Sequence, residues 1–254
     1  MTTKTALLAL GTAILVGASA GNTRAATLYE HSFDGPDASI NGIAPDTVVT
    51  GSVLGADHGT GGNWTTGGID QDGTASSNAI AKLAFDPQDG FVYTLEMTGT
   101  QSSTNNDWIG VGFFDSSTTS ALSGNGVAWG LSRPGSTTTT NRQVAHFNPA
   151  GGTGNIGTDD ETTSPTTLTI VLDTSDGSGS WDVQWFADGS LTPFATQNDL
   201  NATAEGNISA VGVGVPGGAG NSDFTSFSLT VVPEPSSLAL LSLGGLLIAR
   251  RRRG

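Results

Sequence analysis

Phe91-Val92-Tyr93-Thr94-Leu95-Glu96-Met97-Thr98 is the stretch that decides the fold. A period of two puts Phe91, Tyr93, Leu95 and Met97 on one face of a strand, with Thr94, Glu96 and Thr98 on the other. A helix would scatter the same apolar residues around its circumference. The alternation recurs on both sides: Ile109, Val111 and Phe113; Leu168, Ile170 and Leu172; Trp181, Val183 and Trp185; Val211, Val213 and Val215; Phe227, Leu229 and Val231. Weaker runs cover Leu28 to Phe33, Ala79 to Phe85, Val127 to Leu131 and Gln143 to Phe147. Between them lie Asp86-Pro87-Gln88-Asp89-Gly90, Asp176-Gly177-Ser178-Gly179 and Asp188-Gly189. Asp and Gly both tolerate the positive φ that tight turns demand. From Thr27 to Val232 the pattern therefore predicts one all-β sandwich of about ten or more antiparallel strands, with no internal repeat or boundary. Residues 51–73, 116–126, 134–141 and 148–164 are expected to be long loops.

Composition narrows the function. All 23 acidic residues except Glu234 fall between Thr27 and Val232, against Lys82, Arg133 and Arg142, so this segment is more acidic than the whole-chain charge of −14. Such a surface repels nucleic acid, which needs Lys and Arg to neutralise phosphates. With no cysteine, thiolate catalysis, disulfides and Cys-ligated zinc are excluded. Five Trp and the alternating runs argue against the disorder that an acidic, Gly-rich composition would otherwise suggest.

The two ends differ from the middle. Lys4, the apolar run Ala6 to Val16, and the small-x-small step Ala18-Ser19-Ala20 form a signal-peptide pattern over residues 1–26, cleaved at Ala20 or nearer Ala25 and Ala26. A retained anchor is the plainer alternative. Residues 233–254 read Pro233-Glu234-Pro235-Ser236-Ser237, then the apolar run Leu238 to Ala249, then Arg250, Arg251, Arg252 and Arg253. The prolines exclude helix, and either serine can cap one that follows. An apolar helix of about 18 Å is short for a hydrocarbon core of about 30 Å. The arginines hold that end on the cytoplasmic side.

This order of Pro-Glu-Pro, apolar helix and Arg cluster resembles the PEP-CTERM sorting signal of Gram-negative bacteria. The resemblance implies export by the general secretion machinery and transient insertion of the C-terminal helix in the inner membrane. It then implies recognition by exosortase, a membrane-embedded cysteine-protease-like transpeptidase, with processing around Pro233, Glu234 and Pro235. Delivery to the cell surface follows, often alongside exopolysaccharide and biofilm production. A tail anchor behind a proline-rich linker is the plain alternative.

The opening Leu28-Tyr29-Glu30-His31-Ser32-Phe33-Asp34-Gly35 resembles the first strand of concanavalin A-like and laminin-G-like jelly rolls, and Asp223 to Thr230 resembles their last. The resemblance implies that the terminal strands pair.

Candidate sites are sparse. The paired carboxylates of a glycosidase lack the Glu-x-Asp-x-x-Glu pattern of jelly-roll glucanases. Asp159-Asp160-Glu161 clusters acids in an expected loop. His31, His58 and His146 show no ligand spacing. Gly17 to Gly21 mimics a nucleophile elbow inside the signal peptide. Gly212 to Gly217 mimics a dinucleotide fingerprint, but Pro216 stands where a helix would begin. Asp34 and Asp223 are the candidate ligands of a structural Ca2+ if the terminal strands converge, and the plainer reading of both is as turn residues. Trp64, in a Gly/Thr stretch, and then Trp129 are the candidates for an exposed sugar platform, while Trp108, Trp181 and Trp185 are expected in the core. The expectation is a non-enzymatic surface or matrix protein, with a carbohydrate-binding module and a divergent glycosidase or lyase as alternatives.

Overall fold

A computed structural model describes residues 24–101, 108–119, 126–133, 143–147, 157–158, 166–200, 202–216 and 222–234. The signal-peptide residues Ala18 and Ala20, the acids Asp159 to Glu161, Pro235, the apolar tail and Arg250 to Arg253 lie outside these. Residues Arg24–Glu234 form one compact unit.

In chain order the elements are β1 (Ala26–Ser32), β2 (Thr47–Val48), β3 (Ser52–Val53), β4 (Ala56–Asp57), β5 (Gly61–Ile69), β6 (Thr74–Ala84), β7 (Phe91–Thr100) and β8 (Ile109–Phe114). Then come β9 (Gly126–Arg133), β10 (Gln143–Phe147), β11 (Gly157–Thr158), β12 (Thr166–Asp173), β13 (Trp181–Ala187), β14 (Ala195–Leu200), α1 (Ala202–Glu205), β15 (Ala210–Gly214) and β16 (Ser222–Pro233).

The pairing resolves into two layers. One runs β5-β6-β15-β8-β9-β10-β11, the other β2-β1-β16-β7-β12-β13-β14, and every pair is antiparallel. They join at one corner. The chain follows β6 as β15, then at Ser222 and Asp223 it still pairs with Ala75 and Thr74 before leaving as β16 for the other layer. This is a jelly-roll sandwich, with β1 and β16 paired as its terminal strands.

The core explains the periodicity. Phe91, Tyr93, Leu95 and Met97 of β7 face inward with Leu168, Ile170 and Leu172 of β12, and Val183 and Trp185 of β13. Opposite them stand Ile109, Val111 and Phe113 of β8, and Val211 and Val213 of β15. In β1 a bulge between Thr27 and Tyr29 turns both Leu28 and Tyr29 inward. The Tyr29 hydroxyl then donates to the Ala84 carbonyl at 2.8 Å and accepts the Gly61 N–H at 2.7 Å, tying the layers together.

The stretch 51–73 is not the single long loop that its glycines suggest: it carries β3, β4 and β5. Register shifts at both ends of β5, with Gly62 and Gly68 at positive φ, break the period of two that would have revealed it. β14 was equally silent, its pattern being mostly polar.

Candidate functional site

Among the described residues a cavity lies where the 86–90 and 174–180 turns meet α1. It is lined by Asp86, Pro87, Ser178, Trp181, Glu205, Gly206 and Ile208 and measures about 210 Å³. Ligand pockets usually span about 300–1,000 Å³, so it has room for one small polar group and no more. Glu205 organises its floor. The side chain is 4% exposed, and its carboxylate accepts the N–H of Trp181 at 3.0 Å and that of Gly179. Trp181 in turn donates its indole N–H to Asp89 at 2.8 Å. With both oxygens committed to backbone donors, Glu205 acts first as a clamp on the 177–181 turn. Glu205→Ala would strand two N–H groups and cost about 3 kcal/mol of stability, read as a lower urea midpoint at unchanged m. Sequence reasoning missed this clamp because its partners stand more than twenty residues away.

The aromatic candidates are not exposed platforms. Trp64 is 1% exposed on β5, in the interlayer core, with its ring 5.2 Å from Phe227 and 5.7 Å from His31. Trp129 is also 1% exposed and lies parallel against Phe114 at 4.9 Å. It belongs to a second cluster with Ile80, Phe114, Leu131, Ala145 and Ala210, on the far side of β9 from Ala128. Trp64 was expected in a Gly/Thr loop and stands instead on a strand, whereas the Trp129 ring packs over a glycine of β8. At Gly112 a Cβ would stand 2.7 Å from the Trp129 ring. Trp181 and Trp185 are core, as expected, and Trp108 packs at the edge of the second cluster with Arg133 over its ring.

Terminal-strand pairing places Asp34 just past β1 and Asp223 as the second residue of β16, at the same end of the sandwich, since Ser32 is in register with Ser226. Among the described residues no group of three or more His, Asp and Glu is placed to hold a metal ion.

The histidines are separate and internal. His58 is fully buried, with Nδ1 2.8 Å from the Tyr93 hydroxyl and Nε2 3.1 Å from the Val53 carbonyl. A neutral ring protonated on Nε2 satisfies both, and it fastens the β3–β4 hairpin to β7. His31 is buried 3.4 Å from Asp46. His146 packs against Trp185, ring centroids 4.9 Å apart. Burial lowers the pKa of all three, and for His31 it outweighs the opposing pull of Asp46.

Of the described glutamates, Glu205 alone is among the residues that line the small cavity. Glu30 and Glu96 share one cross-strand row through Ser228 on an outer sheet face, where Glu96 accepts the Thr169 hydroxyl at 3.2 Å.

The C-terminal residues within the described range belong to the sandwich. Pro233 is in register with Phe91, and the Glu234 N–H donates to the Gly90 carbonyl at 3.1 Å. Among the described residues no helix is long and apolar enough to cross a membrane.

Residues 231–253 match the family described as the PEP-CTERM protein-sorting motif. That motif indicates an exported, cell-surface protein. No protein of curated function matches the chain. Similar solved structures include a GH43 glycoside hydrolase engineered for endo-xylanase and exo-arabinofuranosidase activity (12% identity, TM-score 0.38). The match covers 58% of this chain and only 30% of that one. The lectin UEA-II complexed with galactose matches at 10% identity and TM-score 0.41, over 82% of this chain and 98% of that one. A Lotus tetragonolobus seed lectin matches at 9% identity and TM-score 0.43, over 67% and 94%. Likenesses at this level reach no further than the strand architecture described above.

Proposed function

We propose that this chain is a non-enzymatic surface protein, exported, processed by exosortase and displayed in association with the cell's own exopolysaccharide. The observation that carries this reading is the sorting motif at residues 231–253. Three features of the sandwich support it. Glu205 is committed to two backbone N–H groups, and Glu30 and Glu96 lie on an outer sheet face. The cavity beside Glu205 is small. The indoles that could have formed a sugar platform are buried. Association with polysaccharide would then rest on the outer faces and turns of the sandwich rather than on a deep pocket.

Intact-mass spectrometry of the surface fraction tests the sorting half. The mature protein is expected to lack both the N-terminal segment and the Leu238 to Arg253 tail. A strain without exosortase should retain the tail. A tail retained in both strains would overturn the reading. The polysaccharide half is tested with the same mature protein. Cosedimentation with purified exopolysaccharide supports it. Turnover of that polymer, abolished by one carboxylate substitution, would replace it with an enzymatic one.

A further inference from the structure

The last strand and the sorting motif share residues. The motif match begins at Val231, whereas β16 ends at Pro233. Val231 is in register with Ala26 of β1 on one flank and Tyr93 of β7 on the other, and its side chain is 1% exposed in the interlayer core. Beyond it β1 has no residue left to pair, so Val232 and Pro233 are flanked by β7 alone, opposite Val92 and Phe91. A proline belongs at such a place, where its missing N–H leaves no ladder bond unmade on the open side.

The edge that receives these residues is itself held. The Gly90 N–H donates to the Thr174 carbonyl at 2.9 Å, and the Thr174 N–H donates to the Phe91 carbonyl at 2.9 Å. The Phe91 N–H donates to the Thr174 hydroxyl at 3.0 Å. Glu234 closes the ladder through its bond to the Gly90 carbonyl. A processing enzyme binds its substrate as extended chain whose backbone groups are free to pair with the enzyme. Residues 231–234 have given the backbone groups that face β7 to the sandwich.

The geometry points to the sandwich as the ruler that sets the processing boundary: Val231 to Glu234 stay on the mature domain, and the bond that is cut lies on the C-terminal side of Glu234. This rests on the sorting reading proposed above. In the step itself, the carbonyl carbon before the cut loses its peptide nitrogen and gains the nucleophile of the sorting enzyme. That bond is exchanged for one to water or to an acceptor amine, and the departing nitrogen of the tail takes up a proton. Scission upstream of Val231 would instead remove a core side chain and the last rungs of the β16–β7 ladder.

The full chain co-expressed with exosortase provides the test, read by sequencing the C-terminal peptide of the mature protein. The expected peptide retains Val231-Val232-Pro233-Glu234. A mature end at Pro233 or earlier would overturn the boundary while leaving the sorting reading intact. A chain left uncut by exosortase sinks both. Hydrogen exchange on the uncut chain supplies a second readout. The Glu234 amide is expected to exchange at least tenfold more slowly than free chain, roughly the protection of an opening equilibrium of about 1.4 kcal/mol. Exchange at the free-chain rate would overturn the proposal independently of any enzyme.

Discussion

Gly73→Ala is expected to cost about 4 kcal/mol or more, whereas Gly177→Ala should cost only about 1–2 kcal/mol. The two glycines have nearly the same backbone, φ +85° and +83°, so an added methyl meets the same left-handed strain at each. Their surroundings differ. At Gly177 nothing lies within 4 Å of the new Cβ. At Gly73 the Cβ would stand 1.9 Å from the Phe224 carbonyl oxygen, which is backbone and cannot swing aside. That contact sits at the corner where the two layers meet: the Phe224 N–H donates to the Gly73 carbonyl at 3.0 Å, and next to it Ser222 and Asp223 pair with β6. Relieving the clash means moving β16 off β6 and loosening the only ladder that bridges the sheets among the described residues. Urea unfolding of the two variants, compared at constant m, isolates the contact term as their difference. Equal midpoints would show that the corner is not packed as described.

The same corner marks what the sequence made legible. The alternation of Phe91 to Thr98, Leu168 to Leu172 and Phe227 to Val231 could be read directly, because each of these strands buries one face and leaves the other wet. The pairing of the first and last strands was legible through family resemblance, not through any periodicity. The rest failed where local pattern and tertiary role part company. Ser222 and Asp223 look like the polar start of a strand, and nothing local says that they belong to one sheet and their successors to the other. Trp64 sits among glycines and threonines, and the bulges of β5 hide that it shares a face with Ile69. Trp129 falls on the strand face away from the interlayer core, and its burial comes from a second cluster. Alternation reports two faces and cannot report that both are covered. Glu205 had no readable signal at all, since the N–H groups it holds belong to a distant turn. The boundary at Val232 was drawn where the Pro-Glu-Pro pattern begins, and the ladder runs on through Glu234, because a terminal rung flanked on one side tolerates Pro233.

Stability should fall as the pH drops below about 6.5. His31, His58 and His146 all have pKa values lowered by burial. In the unfolded chain each titrates near its ordinary value, about 6.5. The stabilising effect of a depressed pKa is complete above that value. It is lost as pH falls from there through the folded value, because the unfolded chain takes up protons that the native state refuses. With three such groups acting together, stability should fall by up to about 4 kcal/mol per pH unit across the shared part of that window. The charges facing these rings do not reverse the sign. Asp46 and Asp34 near His31, and Asp57 and Asp86 near His58, favour the imidazolium, but burial is the larger effect in both. For His146 burial alone is at work. Asp46, whose own pKa is lowered chiefly by its bonds to the Ser32 N–H and hydroxyl against an opposing desolvation, adds a loss of the same sign only below about pH 3.8. The measurement is urea midpoint against pH from 7.5 to 4.5, in wild type and in the three single His→Gln variants. Each substitution should flatten the slope by about a third, whatever it does to stability at pH 7.5. His58→Gln should also lower the plateau, because the link from Tyr93 to the Val53 carbonyl goes with it. A wild-type midpoint that stays level between pH 6.5 and 5 would mean that the imidazoles accept protons as readily folded as unfolded. That outcome would contradict their placement inside the sandwich.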